Sequence, residues 1–283
     1  MTKTLLSFGH GFSARALADR LLPQGWQVIG TTRSEDKADA IRATGAEALI
    51  WPGTPVSFDG VTHLLMSAAP GADGDPVLAA LHDQVTEVAP QLEWAGYLST
   101  TGVYGDHEGG WVDETSALAP ATRRGQWRKE AEAAWAAIPG LPLHIFRLAG
   151  IYGPGRGPFA KVRNGTARRI IKDGQVFSRI HVDDIAQVLE ASIRHPHAGA
   201  IYNVCDDDPA PPQDVIAHAA ELLGLPLPPA VPFDEAEMTP MARSFYAESK
   251  RVRNDRIKDE LGVKLAYPDY RTGLAALLAS EPK

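Results

Sequence analysis

The segment SFGHGFSA, residues 7–14, sets Gly9, Gly11 and Ala14 in the spacing G-x-G-x-x-A. Gly9 permits a tight turn, Gly11 lets the backbone come close to a pyrophosphate, and Ala14 lets the following helix pack against the preceding strand. A helix opening at Phe12 adds free N–H groups and the positive end of its dipole, so the chemistry expected is capture of a dinucleotide. The plainer reading of the same glycines is a tight turn alone. About twenty residues on, GTTRSED offers Thr32 and Arg33 at the end of a second apolar run. An acidic residue there would hold the ribose 2′-OH of NAD, whereas an arginine suits the 2′-phosphate of NADP. NADP is therefore favoured over NAD, with Glu35 and Asp36 standing near enough to accept NAD ribose hydroxyls instead. Phe12, Ser67, Ala68 and Ala69 complete the expected cofactor-binding set.

A second stretch, RRGQWRKEAE at 123–132, concentrates charge. Arg128 and Glu132 stand four apart, as ion pairs on a helix surface do. A third, GIYGPGRGPFAKVRNGTARR at 150–169, is a basic loop holding Arg156, Lys161, Arg163, Arg168 and Arg169. Such a patch can clamp a carboxylate or phosphate, or it can be a solvated loop.

These groups need a scaffold, and the hydrophobic pattern supplies one. TLLSF (4–8), WQVIGTT (26–32), EALIW (47–51), THLLMSA (62–68), WAGYLST (94–100) and LPLHIFRLA (141–149) read as buried strands. FSARALADRLL (12–22) reads as a helix, as does SEDKADAIRATG, with Ser34 as N-cap and Gly45 as its stop. This alternation calls for right-handed crossovers and a parallel sheet covered on both faces. Further on, RIHVDDIAQVLEASIRHP reads as a strand end entering a helix capped at Asp183 or a neighbour, and AIYNVCDD as one more strand. The organisation expected is a dinucleotide-binding domain over 1–149, completed by 178–205, interleaved with a substrate lobe that makes up most of 150–283.

The chain has 283 residues, 44% hydrophobic and 22% charged, as a soluble globular protein does. A net charge of −7 argues against nucleic-acid and membrane-surface partners and leaves a small-molecule substrate. The single cysteine, Cys205, excludes an internal disulfide and reads as a small buried side chain in a reducing compartment. The first residues pass too quickly into Gly9 for a signal peptide, and no apolar run reaches membrane-spanning length, so a cytoplasmic location is expected. His195 and His197 in RHPH read as a surface turn, and no metal is expected.

Together with the glycine loop, YLSTTGVYGD (97–106), FRLAGIYGPGR (146–156) and RIHVDDIAQVL (179–189) resemble the extended and atypical short-chain dehydrogenase/reductase superfamily, often labelled NAD-dependent epimerase/dehydratase. The resemblance covers most of the chain. It implies an α/β fold, a Rossmann-type doubly wound parallel sheet with a smaller C-terminal substrate lobe, and an active site in the cleft between them. It also implies that Thr100 or Thr101 hydrogen-bonds the substrate oxygen, that a homodimer forms through helices flanking the sheet, and that the 123–132 helix carries the acid/base machinery. There the superfamily keeps a Tyr-x-x-x-Lys pair. This chain departs from it: one register puts Arg124 and Arg128 at the two positions, the other Gly125 and Lys129. Arginine stays protonated and cannot exchange a proton as a phenol does. Departures of this kind belong to the atypical branch.

Tyr104 and Tyr152 lie in segments that the fold brings toward the cleft and are the substitute acid/base candidates, against a reading of each as a packed ring. Asp113 and Glu114 sit either near the substrate or as caps. Arg156 and Arg163 are the expected substrate-binding residues. The expected activity is an NAD(P)-binding oxidoreductase or epimerase-like enzyme for a small polar substrate, anionic or sugar-related. The alternatives are an NADP-binding sensor without catalysis and a non-redox enzyme that uses the nucleotide structurally.

Overall fold

The structure is a computed structural model and describes residues 2–281. Elements follow in chain order: β1 (Thr4–Phe8), α1 (Phe12–Leu21), β2 (Gln27–Thr32), α2 (Glu35–Arg42), β3 (Glu47–Ile50), β4 (His63–Met66), α3 (Pro76–Val88), β5 (Trp94–Thr100), β6 (Trp111–Val112), α4 (Arg123–Ala136), β7 (Leu143–Leu148), β8 (Gly150–Tyr152), α5 (Phe159–Arg163) and β9 (Arg169–Ile171). Then come β10 (Arg179–His181), α6 (Val182–Arg194), β11 (Ile201–Val204), α7 (Pro212–Leu222), β12 (Ala230–Pro232), α8 (Pro240–Phe245), β13 (Arg251–Val252), α9 (Asp255–Asp259) and α10 (Tyr270–Ser280).

Seven strands form one sheet in the order β11-β7-β5-β4-β1-β2-β3, every neighbouring pair parallel. This is the doubly wound Rossmann-type arrangement that the alternating pattern predicts. The order reverses at β1, whose neighbours are β2 and β4, and a parallel sheet places ligands beyond the carboxyl ends at such a point. Strands β1, β4 and β7 are buried along their whole length, as strands covered on both faces are. One apolar cluster joins Leu5, Leu17, Trp94, Phe146, Ile185 and Leu189, and the other face gathers Phe8, Leu64, Tyr97 and Trp135. A third cluster, around Tyr152, Phe159, Ala219, Tyr270 and Leu274, lies in the C-terminal part. No helix among the described residues is long and apolar enough to cross a membrane.

Strand limits agree with the sequence reading to within a residue or two. Helix α3 has no counterpart in that reading. It opens with Asp75 accepting from the amides of Val77 and Leu78 and with Pro76 in its first turn, and it kinks at Leu81, where φ is −133° and ψ 18°. The kink interrupts the apolar period that would have announced it. The cap of α6 is His181 rather than Asp183, the imidazole accepting from the Asp183 amide at 3.2 Å.

Candidate functional site

The glycine loop joins β1 to α1 through a tight turn. Gly9 has φ +76°, and a Cβ there would stand 2.7 Å from the Ala68 nitrogen. Only glycine permits that turn, and its closeness brings the 9–11 loop against the 67–69 segment beyond β4. The Gly9 amide donates to the Thr31 hydroxyl at 2.9 Å and the His10 amide to the Thr31 carbonyl at 2.9 Å, which ties the loop to β2. Gly11 caps α1 without any side-chain hydrogen bond, so the first-turn amides are left for a ligand. Ala14 is fully buried in the core, as close helix–strand packing requires. The His10 ring packs over Gly30, where a Cβ would meet it at 2.6 Å; burial and, less, Arg15 lower its pKa to about 4. Both of its ring nitrogens are buried without a partner. These residues fit a pyrophosphate.

At the carboxyl end of β2, Thr32 is half-buried and Arg33 is exposed. Glu35 accepts from Arg42 at 2.7 Å on the exposed surface of α2.

Beyond the ends of β5 and β7 opens a cleft of about 980 Å3. Ser67, Thr100, Thr101, Arg124, Arg128, Tyr152 and Arg156 all line it; Gly9, Gly11, Arg33, Tyr104 and Arg163 do not. The Thr100 hydroxyl accepts from the Gly102 amide at 3.2 Å and starts the short turn that holds Thr101. Opposite it, a Cβ at Gly125 would lie 2.8 Å from the Gly102 oxygen, so the missing side chain is what lets α4 approach this turn.

Helix α4 presents Arg124, Arg128 and Glu132 on one stripe, spaced by four. Arg124 crosses the cleft, donating to the Ser244 hydroxyl at 3.0 Å and stacking 5.3 Å from the Phe245 ring of α8. Arg128 donates to the Leu98 carbonyl at 2.7 Å and lies over the Tyr97 ring. Glu132 is buried and pairs with Arg147 at 2.8 Å, while the Ser99 hydroxyl donates to it at 2.5 Å. Lys129 turns away to the Leu118 carbonyl.

Tyr104 is placed outside the cleft. It is fully buried, donates to Asn203 Oδ1 at 2.7 Å, accepts from Arg147 at 2.9 Å, and burial pushes its pKa up to about 12 against the opposing pull of Arg147. Tyr152 does line the cleft, but its hydroxyl packs against Gly273 of α10 and has no hydrogen-bond partner. Burial, then Asp206, drives its pKa upward. Arg163 turns to the surface and pairs with Glu281 in a two-pronged contact that a sequence separation of 118 hides from pattern reading. Arg156 is exposed at the mouth, 5.8 Å from the Phe12 ring, with Lys161 beside the same cleft. Arg168 and Arg169 are spent on backbone carbonyls. Asp113 closes its own loop through Thr115 and Ser116, and Glu114 accepts from the Asn203 amide at 2.7 Å. Cys205 is buried, donating to the Val252 carbonyl, and burial raises its thiol pKa.

Three cleft residues escape the sequence reading. Lys250 is buried, donating to the Gly105 carbonyl and to Glu248, each at 2.6 Å. Glu248 shares the lining and keeps one carboxylate oxygen without a partner. Arg179 lies at the other end of the cleft, its Nη1 donating to the carbonyls of Phe177 and Ala210. Its signal was a charged residue inside the short strand RIH, in a segment where attention falls on His181 and Asp183.

Comparison with known proteins places this geometry. The family model described as NAD dependent epimerase/dehydratase matches residues 8–205. A functionally unknown conserved protein from Silicibacter pomeroyi DSS has a structure similar to this one, with 69% identity, a TM-score of 0.96, and coverage of 98% of this chain and 99% of that one. Protein YeeZ of Escherichia coli K12 is 28% identical over 285 residues, 94% of this chain and 97% of its own. A 3-diazoavenalumate denitrifying reductase of a Streptomyces species is 31% identical over 143 residues, 46% of this chain and 45% of its own.

Proposed function

The chain belongs to the NAD dependent epimerase/dehydratase family, and from that premise we propose that it is an NADP-dependent reductase acting on a small anionic substrate in the cleft beyond β5 and β7. The observation that carries this reading is the Gly9–Ala68 approach beside a cleft holding Thr100 and Thr101. The reduced cofactor, NADPH, would supply the hydride when bound and leave as NADP+. The protein holds the pyrophosphate on the Gly9–Gly11 backbone and the first-turn amides of α1, with Ser67, Ala68 and Ala69 facing the loop. Arg33 meets the 2′-phosphate, and Thr100 or Thr101 holds the substrate oxygen. Reduction is favoured over epimerisation because its single proton can be drawn from solvent admitted by the open cleft, whereas epimerisation requires a side chain that both takes and returns a proton, which an arginine cannot do. The relative named as a reductase supports the same direction.

A dinucleotide-binding sensor is the second reading. It is favoured by the engagement of both α4 arginines with protein groups, Ser244 for one and Leu98 for the other.

Arg33→Ala tests the cofactor half: affinity for NADP falls by about 10-fold with NAD unchanged, by the loss of one charge-assisted contact. An unchanged affinity ratio, measured by titration, removes the assignment. The catalytic half is tested by following absorbance of the reduced nicotinamide with a panel of carboxylate-bearing electrophiles; tight NADPH binding without turnover favours the sensor.

A further inference from the structure

Resting on the reading of the cleft as a reductase's substrate site, we propose that Arg179 anchors a carboxylate carried on an apolar, aromatic-sized substrate body. Arg179 is not needed to satisfy the carbonyls it touches. Its Nη1 reaches the carbonyls of Phe177 and Ala210, at 2.8 and 3.1 Å, yet each of those carbonyls already accepts from the other residue's amide at 3.1 Å. The Nε and Nη2 edge makes no hydrogen bond among the described residues. That free edge matches the two oxygens of a carboxylate.

The charge is also uncompensated. No carboxylate among the described residues comes within 4.0 Å of the guanidinium; the acidic groups whose fields reach it are Asp206 and Asp208. Asp208 is committed to Arg271 at 2.7 Å. Asp206 is buried beyond ion-pair distance of the guanidinium, and burial, against the opposing pull of Arg179, pushes its pKa up to about 8. Burial lowers the pKa of Arg179 itself. A half-buried cation in the cleft lining, with no carboxylate within 4.0 Å among the described residues, is a group that a ligand's anion completes.

The surrounding walls define the rest of the ligand. Tyr152, Phe177, Val215, Tyr246, Tyr270 and Leu274 line the same cleft, with the Tyr270 ring centroid 6.0 Å from the guanidinium carbon and Phe177 and Tyr246 packed edge to face. An aryl or alkyl body beside Arg179 would make apolar contact with these rings and side chains. A carboxylate places its whole charge on the two oxygens that this free edge meets.

Isothermal titration of the full chain with benzoate, phenyl phosphate and benzamide tests this, with NADP titrated separately. Benzoate is expected to bind, benzamide to bind at least ~10-fold more weakly, and Arg179→Lys to weaken benzoate by ~10-fold or more while leaving NADP affinity and the melting temperature unchanged. Arg179→Met, which leaves both carbonyls paired through the backbone, provides a second variant with the same expected loss. Equal benzoate affinity in the wild type and these variants overturns the proposal. So does tighter binding of phenyl phosphate than of benzoate, or an absence of benzoate binding in a chain that binds NADP. Failure to bind NADP instead overturns the proposed function and leaves the Arg179 result to be read on its own.

Discussion

Arg147 on β7 is buried and Arg179 on β10 is half-buried in the cleft lining, and the two guanidinium groups are held in opposite ways. Arg147 is surrounded by its own answer. Two of its nitrogens meet the Glu132 carboxylate, at 2.8 and 3.2 Å, a third meets the Tyr104 hydroxyl, and Tyr104 passes on to Asn203. Arg179 has carbonyls that do not depend on it and, among the described residues, no carboxylate within ion-pair distance. Burial alone therefore does not separate structural from functional charge; the count of satisfied partners does. By that measure the Ser99–Glu132–Arg147–Tyr104 network is a fastening between α4, β5 and β7, and Arg179 is a site.

The comparison can be broken most forcefully at Glu132. Glu132→Ala leaves Arg147 buried and unpaired, which costs about 3–5 kcal/mol in urea denaturation. A loss below 1 kcal/mol would show that the pair is not the fastening. Tyr104→Phe removes one bridging hydroxyl, costs about 1–2 kcal/mol, and leaves NADP affinity unchanged; a selective loss of turnover would return Tyr104 to the catalytic candidates. Arg179→Met changes stability by less than about 1 kcal/mol, because no ion pair is lost and both carbonyls keep their backbone donors. A loss comparable to that of Glu132→Ala would make the two arginines alike.

The finest distinction concerns Asp206. Burial raises its pKa from the ordinary 3.8 to about 8, so the folded state holds a proton that the unfolded state has released between those values. Stability from this group is thus fully present at low pH and is lost as pH rises toward 8. Asp206→Asn removes the titration: its melting temperature relative to the wild type should climb between pH 5 and pH 8.5. A constant difference across that range would show Asp206 ionised in the fold and available as the counter-ion of Arg179.

The sheet and the glycine loop were legible because their signals are local. Residues 4–14 state a strand, a turn and a helix start within one short window, and strands buried on both faces read as unbroken apolar runs. The kinked α3 was not legible, since a break at Leu81 disturbs the period on which helix reading depends. Side-chain fates across long separations were also hidden. Nothing in GVYG shows that Tyr104 answers to Asn203, 99 residues on, and nothing in AKVR shows that Arg163 answers to Glu281. The substitution of arginines for the Tyr-x-x-x-Lys pair was plain in the sequence, whereas their partners, Ser244 and Leu98, needed the fold.

The stripe of Arg124, Arg128 and Glu132 runs through three depths: the cleft, a strand carbonyl and the core. Glu132 fixes α4 at the deep end, and Gly125 seats it on the Gly102 turn. Its alignment therefore does not depend on whatever occupies position 124. The helix behaves as a bracket with a replaceable fitting: the upper face can carry a phenol, an arginine or neither, and it will be offered to the cleft from the same place.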